Sequence, residues 1–147
     1  MQKQDHMTAT AFKAGLLYFA GVFALGFLLG GVRMMLLEPT VGDLLAVIIE
    51  SPIILALSWL LCRRAIDRFQ VAALVSARLL MGGVALTILL LAEYSLATLM
   101  FAESPADFLG NWLTAAGLVG LGGQIVFALF PLLQLRLPGS TGRTGSQ

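Results

Sequence analysis

Four ionisable side chains sit in or against long apolar runs: Arg33, Glu50, Arg78 and Glu93. A charge in hydrocarbon is costly, so such groups face a bundle interior, pair with one another or line a path. They are the candidates for chemistry in this chain. Arg33, Glu50 and Glu93 together would be one base against two acids. That set suits a fixed ion-pair cluster that holds helix register, and it also suits a proton or ion relay or the binding of a lipid headgroup or partner helix. Gln124, inside the last apolar run, has the amide needed for a hydrogen bond between helices.

Familiar catalytic patterns are missing from the sequence. There is no G-x-S-x-G, no H-E-x-x-H, no Walker loop and no dinucleotide fingerprint. Gly120-Leu121-Gly122-Gly123 lies within an apolar run, where it is no phosphate cradle, and Ser51 and Ser58 have no histidine to activate them. His6 is the only histidine and stands in a polar segment, which rules out a bis-histidine haem or a histidine metal site. Cys62 is the only cysteine, so no intrachain disulfide forms, and its plainer role is that of a small buried apolar group. No enzyme activity, cofactor or metal is expected, and no basic run is dense enough to suggest nucleic acid.

The elements that position these residues are apolar helices. Hydrophobic residues make up 59% and charged residues 12%, with a mean hydropathy of +0.92, whereas a soluble domain carries about 25% charge. Four stretches, 12–31, 44–61, 71–92 and 112–135, are each apolar and near the ~20 residues that span a bilayer core. The expected fold is all-α, an integral membrane four-helix bundle. A polar tail, 1–10, precedes a single domain, 11–137, and a Gly- and Ser-rich tail, 138–147, is expected to be disordered. Met1 and Met7 are both candidate starts. The first span is expected to be an uncleaved anchor, since its apolar core is long and no A-x-A-like site follows it.

Charge sets the expected orientation. Lys3 precedes the first span and Lys13 stands at its very start, Arg63, Arg64 and Arg68 lie between the second and third, and Arg136 and Arg143 follow the fourth. The other two loops hold Glu38 and Asp43, and Glu103 and Asp107. By the positive-inside rule both termini are cytoplasmic.

Within this frame, Arg33 and Glu93 fall at the outer ends of their spans. Asp43 and Glu50 are seven apart on one helical face, which sets Glu50 ~10 Å deeper than Asp43. Arg33, Glu50 and Glu93 are expected to converge in the outer half. Arg78 lies deeper toward the inner side, with Gly82, Ala85 and Leu89 on its face, and either reaches toward Glu50 or snorkels to the interface near Arg68. Gly26 and Gly30 form a GxxxG pair, and Gly82, Gly117 and Gly120 are further sites of close helix approach. Glu38-Pro39-Thr40-Val41-Gly42-Asp43 reads as a tight turn with Asp43 capping the next helix, Pro52 as a kink or hinge, and Arg63–Arg68 as a short connection. Ser104 or Asp107 is expected to cap a short interfacial helix containing Phe108 and Trp112.

One pattern runs through these positions: Gly26-x-x-x-Gly30-x-x-Arg33, Pro39, Gly42-Asp43, Glu50-x-Pro52, Arg64, Arg78, Gly82, Glu93 and Pro131. In this the chain resembles a group of uncharacterised small bacterial four-span inner-membrane proteins, with Asp43 standing where Glu is more usual. The resemblance implies the fold and a bacterial inner-membrane location, and it implies no activity. Two functions fit the residues. One is a non-enzymatic accessory or structural component, whose charge cluster holds the bundle or docks a partner, among membrane lipids, a second copy or a larger membrane complex. The other is a proton-coupled small-solute transporter or channel that uses Glu50 and Glu93, as an oligomer.

Overall fold

A helix satisfies every backbone N–H and C=O within its own segment, so long apolar stretches with no alternation adopt it wherever water is scarce. The structure, a computed structural model, describes residues 2–136. All regular elements among them are helical: α1 (Gln2–Val32), a π-helical turn (Arg33–Leu37), α2 (Glu38–Val41), α3 (Asp43–Phe69), α4 (Val75–Met100), α5 (Pro105–Trp112), α6 (Ala115–Leu133) and a 3-10 turn (Gln134–Arg136). Four segments are long and apolar enough to cross a bilayer: Gln4–Val41, Asp43–Phe69, Val75–Met100 and Ala115–Arg136.

Several boundaries differ from the sequence reading. The polar segment 1–10 is helical from Gln2 and forms the first turns of α1. With 38 residues, Gln4–Val41 is ~57 Å long, so its ends extend well past a ~30 Å apolar layer. The Glu38–Asp43 stretch is not a turn as a whole. Pro39 sits in the first turn of α2, where its missing N–H costs little, and the wide π turn before it absorbs the ring. The chain reverses at Gly42 alone, at φ 82°, a conformation that residues with a Cβ avoid. Asp43 does not cap α3. The cap is Gly42, with no side-chain bond. Arg63–Arg68 belongs to α3, and the connection is 70–74, opened by a left-handed Gln70. α3 continues through Pro52 without a break. The 138–147 tail and Arg143 lie outside the described residues.

The four long helices form a ring in the order α1, α3, α6, α4, with α3 diagonal to α4 and α1 diagonal to α6. The 70–74 connection therefore crosses beneath the bundle, and Val71 is buried as it does so. The buried core is Ala11, Ala14, Tyr18 and Val22 of α1, Cys62, Ala65 and Ile66 of α3, Ala77, Met81, Ala85 and Leu89 of α4, and Phe127 and Phe130 of α6. With successive helices antiparallel, these positions gather toward the end that carries the 70–74 connection. At the opposite end, the Gly42 end, the π turn, α2 and α5 contribute no buried residue.

At the tight end the Tyr18 hydroxyl donates to the carbonyl of Phe127 at 3.0 Å, and the two rings stack at 4.4 Å across the diagonal. Gln134 donates to the carbonyl of Trp59 at 3.0 Å, and Trp59 meets Phe130 edge-on at 5.1 Å. Small residues let the backbones close. A Cβ on Gly82 would run into the carbonyl of Ala128, and one on Gly15 would lie 2.8 Å from the carbonyl of Met81.

Candidate functional site

The four expected charges do not form one cluster. They occupy three separate places, and each has its own local cause.

The first place joins α1 to α3 at the Gly42 end. Arg33 opens the π turn, and its Nε lies 2.9 Å from Glu50 Oε2. Its Nη1 lies 3.1 Å from Asp43 Oδ1 and 3.8 Å from Glu38 Oε2. One planar guanidinium thus engages three carboxylates, which its fork of fixed donors allows and a lysine ammonium would not match. Glu50 is the most enclosed of the three at 15% side-chain exposure, against 40% for Glu38 and 53% for Asp43. The seven-residue spacing of Asp43 and Glu50 puts both on the α3 face that Arg33 meets. Glu38 is an additional partner that the sequence reading placed only in a loop. Its position depends on the helix surviving past Pro39.

The second place joins α4 to α6. Glu93 is not paired with Arg33. Its Oε2 accepts a 2.6 Å hydrogen bond from Gln124 Nε2, so a carboxylate and an amide meet between neighbouring helices. Beside them opens a groove of about 290 Å³ at the junction of α4, α5 and α6, lined by Glu93, Glu103, Asn111, Phe101, Phe108 and Trp112 among others. The short helix α5 forms one wall. Its start is fixed by a capping box in which the Ser104 hydroxyl accepts from the Asp107 N–H at 3.2 Å and the Asp107 carboxylate turns back to Ser104. Its end packs against Gly117, where a Cβ would collide with the carbonyl of Asn111. Phe108 ties the wall together, with ring centroids 5.3 Å from Tyr94 and 5.3 Å from Trp112.

The third place is at the other end. Arg78 is only 2% exposed, and it neither reaches Glu50 nor snorkels out beside Arg68. Its Nη2 donates to the carbonyl of Val71 and its Nε to that of Ala72, each at 3.2 Å. These are carbonyls of the crossing connection, left without helical partners once α3 has ended. Arg78 thus binds the connection to the base of α4, with Nη1 left without a protein partner.

The glycines divide in the same way. Gly26 packs on α3, where a Cβ would sit 3.3 Å from Ile54 Cδ1, and Gly82 and Gly117 are close-contact positions. Gly30 and Gly120 face open space, so neither serves packing within this chain. Gly15 and Gly21, which the sequence reading passed over, are contact positions against Met81 and Leu61. The available signal was the run of small or core residues at helical spacing, Ala11, Ala14, Gly15 and Tyr18. Among the described residues, no group of three His, Cys, Asp or Glu side chains is placed to hold a metal ion.

No protein-family model, no curated protein and no solved structure matches this chain.

Proposed function

We propose that this chain is a small multi-pass protein of a bacterial inner membrane, with both termini cytoplasmic, acting as a non-enzymatic accessory or structural component. Four helices of spanning length support the membrane reading. The basic 63–68 segment against the acidic Glu38, Asp43, Glu103 and Asp107 supports the orientation, and the resemblance to small bacterial four-span proteins supports the compartment. Its surroundings are membrane lipids and a second copy or a larger membrane complex.

The observation that carries the structural role is the Arg33–Glu50 contact at 2.9 Å. A proton carrier needs a carboxylate free to exchange its proton with water. Glu50 is largely enclosed and already committed to a guanidinium that also holds Asp43 and Glu38. Such a group locks α1 to α3 and leaves the bundle a fixed outer rim on which a partner docks.

Two experiments test this reading. Reporter fusions at Gln70 and Pro105 should report cytoplasmic and exported positions respectively, and an exported reporter at Gln70 would overturn the orientation. Purified protein in vesicles should show no proton flux above empty vesicles. Flux in the wild type that disappears in Glu50→Gln at equal protein level would establish the transport reading instead, because an amide does not titrate near neutrality.

A further inference from the structure

The groove beside Glu93 has a chemistry that the Arg33 lock does not explain. All salt bridges among the described residues are made by Arg33. Glu93 and Glu103 therefore face the groove without a basic partner. Glu93 keeps one oxygen on Gln124, and Glu103 accepts from Asn111 Nδ2 at 3.3 Å. Both amides orient a carboxylate without neutralising it. A carboxylate drawn partly out of water is held in its charged form by a positive partner, and without one it tends toward its protonated form. The rest of the lining is apolar, with the rings of Phe101, Phe108 and Trp112 beside Leu96, Ala97 and Gly117. Aromatic faces attract cations, and they attract best those whose charge is spread over carbon and weakly hydrated. The volume, about 290 Å³, lies at the lower edge of the ~300–1,000 Å³ usual for small-molecule sites.

The competing occupants fit less well. A hard metal ion takes about six or more oxygen ligands, and here two carboxylates are set among rings. An anion would meet two negative charges. A neutral hydrocarbon would leave the carboxylates uncompensated.

We propose that this groove is a binding site for an organic ammonium ion with an apolar body, its charge directed at Glu93 and Glu103 and its body laid on the rings of Phe108 and Trp112. Two sources carry that chemistry: a free solute, and the ammonium headgroup of a phospholipid at the bilayer surface.

The test uses the full chain in dodecyl maltoside, an uncharged detergent, with benzyltrimethylammonium as the probe. Trp59 and Trp112 are the only tryptophans, so Trp59→Phe leaves Trp112 as a reporter in the groove. Equilibrium dialysis of labelled probe against the unaltered chain gives the same constant without that substitution. Saturable binding is expected. It should weaken at least tenfold in Glu93→Gln and severalfold in Glu103→Gln, a half-buried position in the loop before α5, and it should be unchanged in Asp43→Asn. Neopentylbenzene, the uncharged isostere, should bind at least tenfold more weakly. Absence of saturable binding, equal affinity in both carboxylate variants, or equal affinity for the isostere would overturn the proposal. Bilayer discs separate the sources. A higher apparent Kd in phosphatidylethanolamine than in an uncharged glycolipid, which attracts the probe no more strongly, assigns the lipid headgroup, and equal or lower values assign the free solute.

Discussion

Replacing Arg33 by Ala removes the guanidinium from three carboxylates at once, and the structure ranks the losses. The contact to Glu50 is short, at 2.9 Å, and joins side chains that are 24% and 15% exposed. Removing one partner of an ion pair costs about 3–5 kcal/mol when the pair is fully buried, and less for this partly enclosed one. The hydrogen bond to Asp43 and the looser ion pair with Glu38 end on side chains that are 53% and 40% exposed. Surface pairs of that type contribute about 0–1 kcal/mol each. Arg33→Ala should therefore destabilise the bundle by about 2–4 kcal/mol, mostly because Glu50 is left enclosed without a countercharge. Glu50→Gln placed on Arg33→Ala removes that stranded charge and should recover about 1–2 kcal/mol. Asp43→Asn alone should cost less than about 0.5 kcal/mol. The assay is reversible unfolding in mixed micelles of dodecyl maltoside and a rising fraction of dodecyl sulfate, followed by far-UV circular dichroism. Four proteins complete the cycle: wild type, each single variant and the double. If the two single changes add within about 0.5 kcal/mol, Arg33 and Glu50 do not hold one another and the lock is refuted.

Two further outcomes follow from packing at the other end. Gly82→Ala should destabilise by about 1–3 kcal/mol or prevent folding, because its Cβ meets the backbone of Ala128, whereas Gly30→Ala, facing open space, should lose nothing in the same unfolding assay; equal losses would show that the α4–α6 contact is not the close one. Arg78→Met keeps the aliphatic length but leaves the carbonyls of Val71 and Ala72 unpaired, so a loss of about 1–3 kcal/mol is expected together with faster proteolysis within 70–74, and an unchanged cleavage rate would mean that Arg78 does not secure the connection.

Much of the architecture is already decided by local chemistry. Apolar stretches of spanning length dictate helices, because backbone groups away from water must pair within their own segment. The shared face of Arg78, Gly82, Ala85 and Leu89 follows from helical periodicity, and all four are buried in the bundle. The cap at Ser104 rests on its own side chain and that of Asp107 three residues on, so it too is written locally. The two-turn spacing of Asp43 and Glu50 places them on one face before any tertiary contact exists.

What periodicity could not decide was which helices are neighbours. A depth along the chain is a local quantity, but ring order depends on how the whole set of side chains packs. The 70–74 connection passes under the bundle, setting α3 diagonal to α4. Arg33 therefore meets Glu50 across the α1–α3 contact, while Glu93, at a similar height, is turned to α6 and takes Gln124 instead. Arg78 is held by carbonyls that exist as free acceptors only because the connection crosses there. Sequence alone determined the helices and the carriers of charge. Only the tertiary structure divided those charges among separate places, because pairing is set by which faces meet and not by distance along the chain.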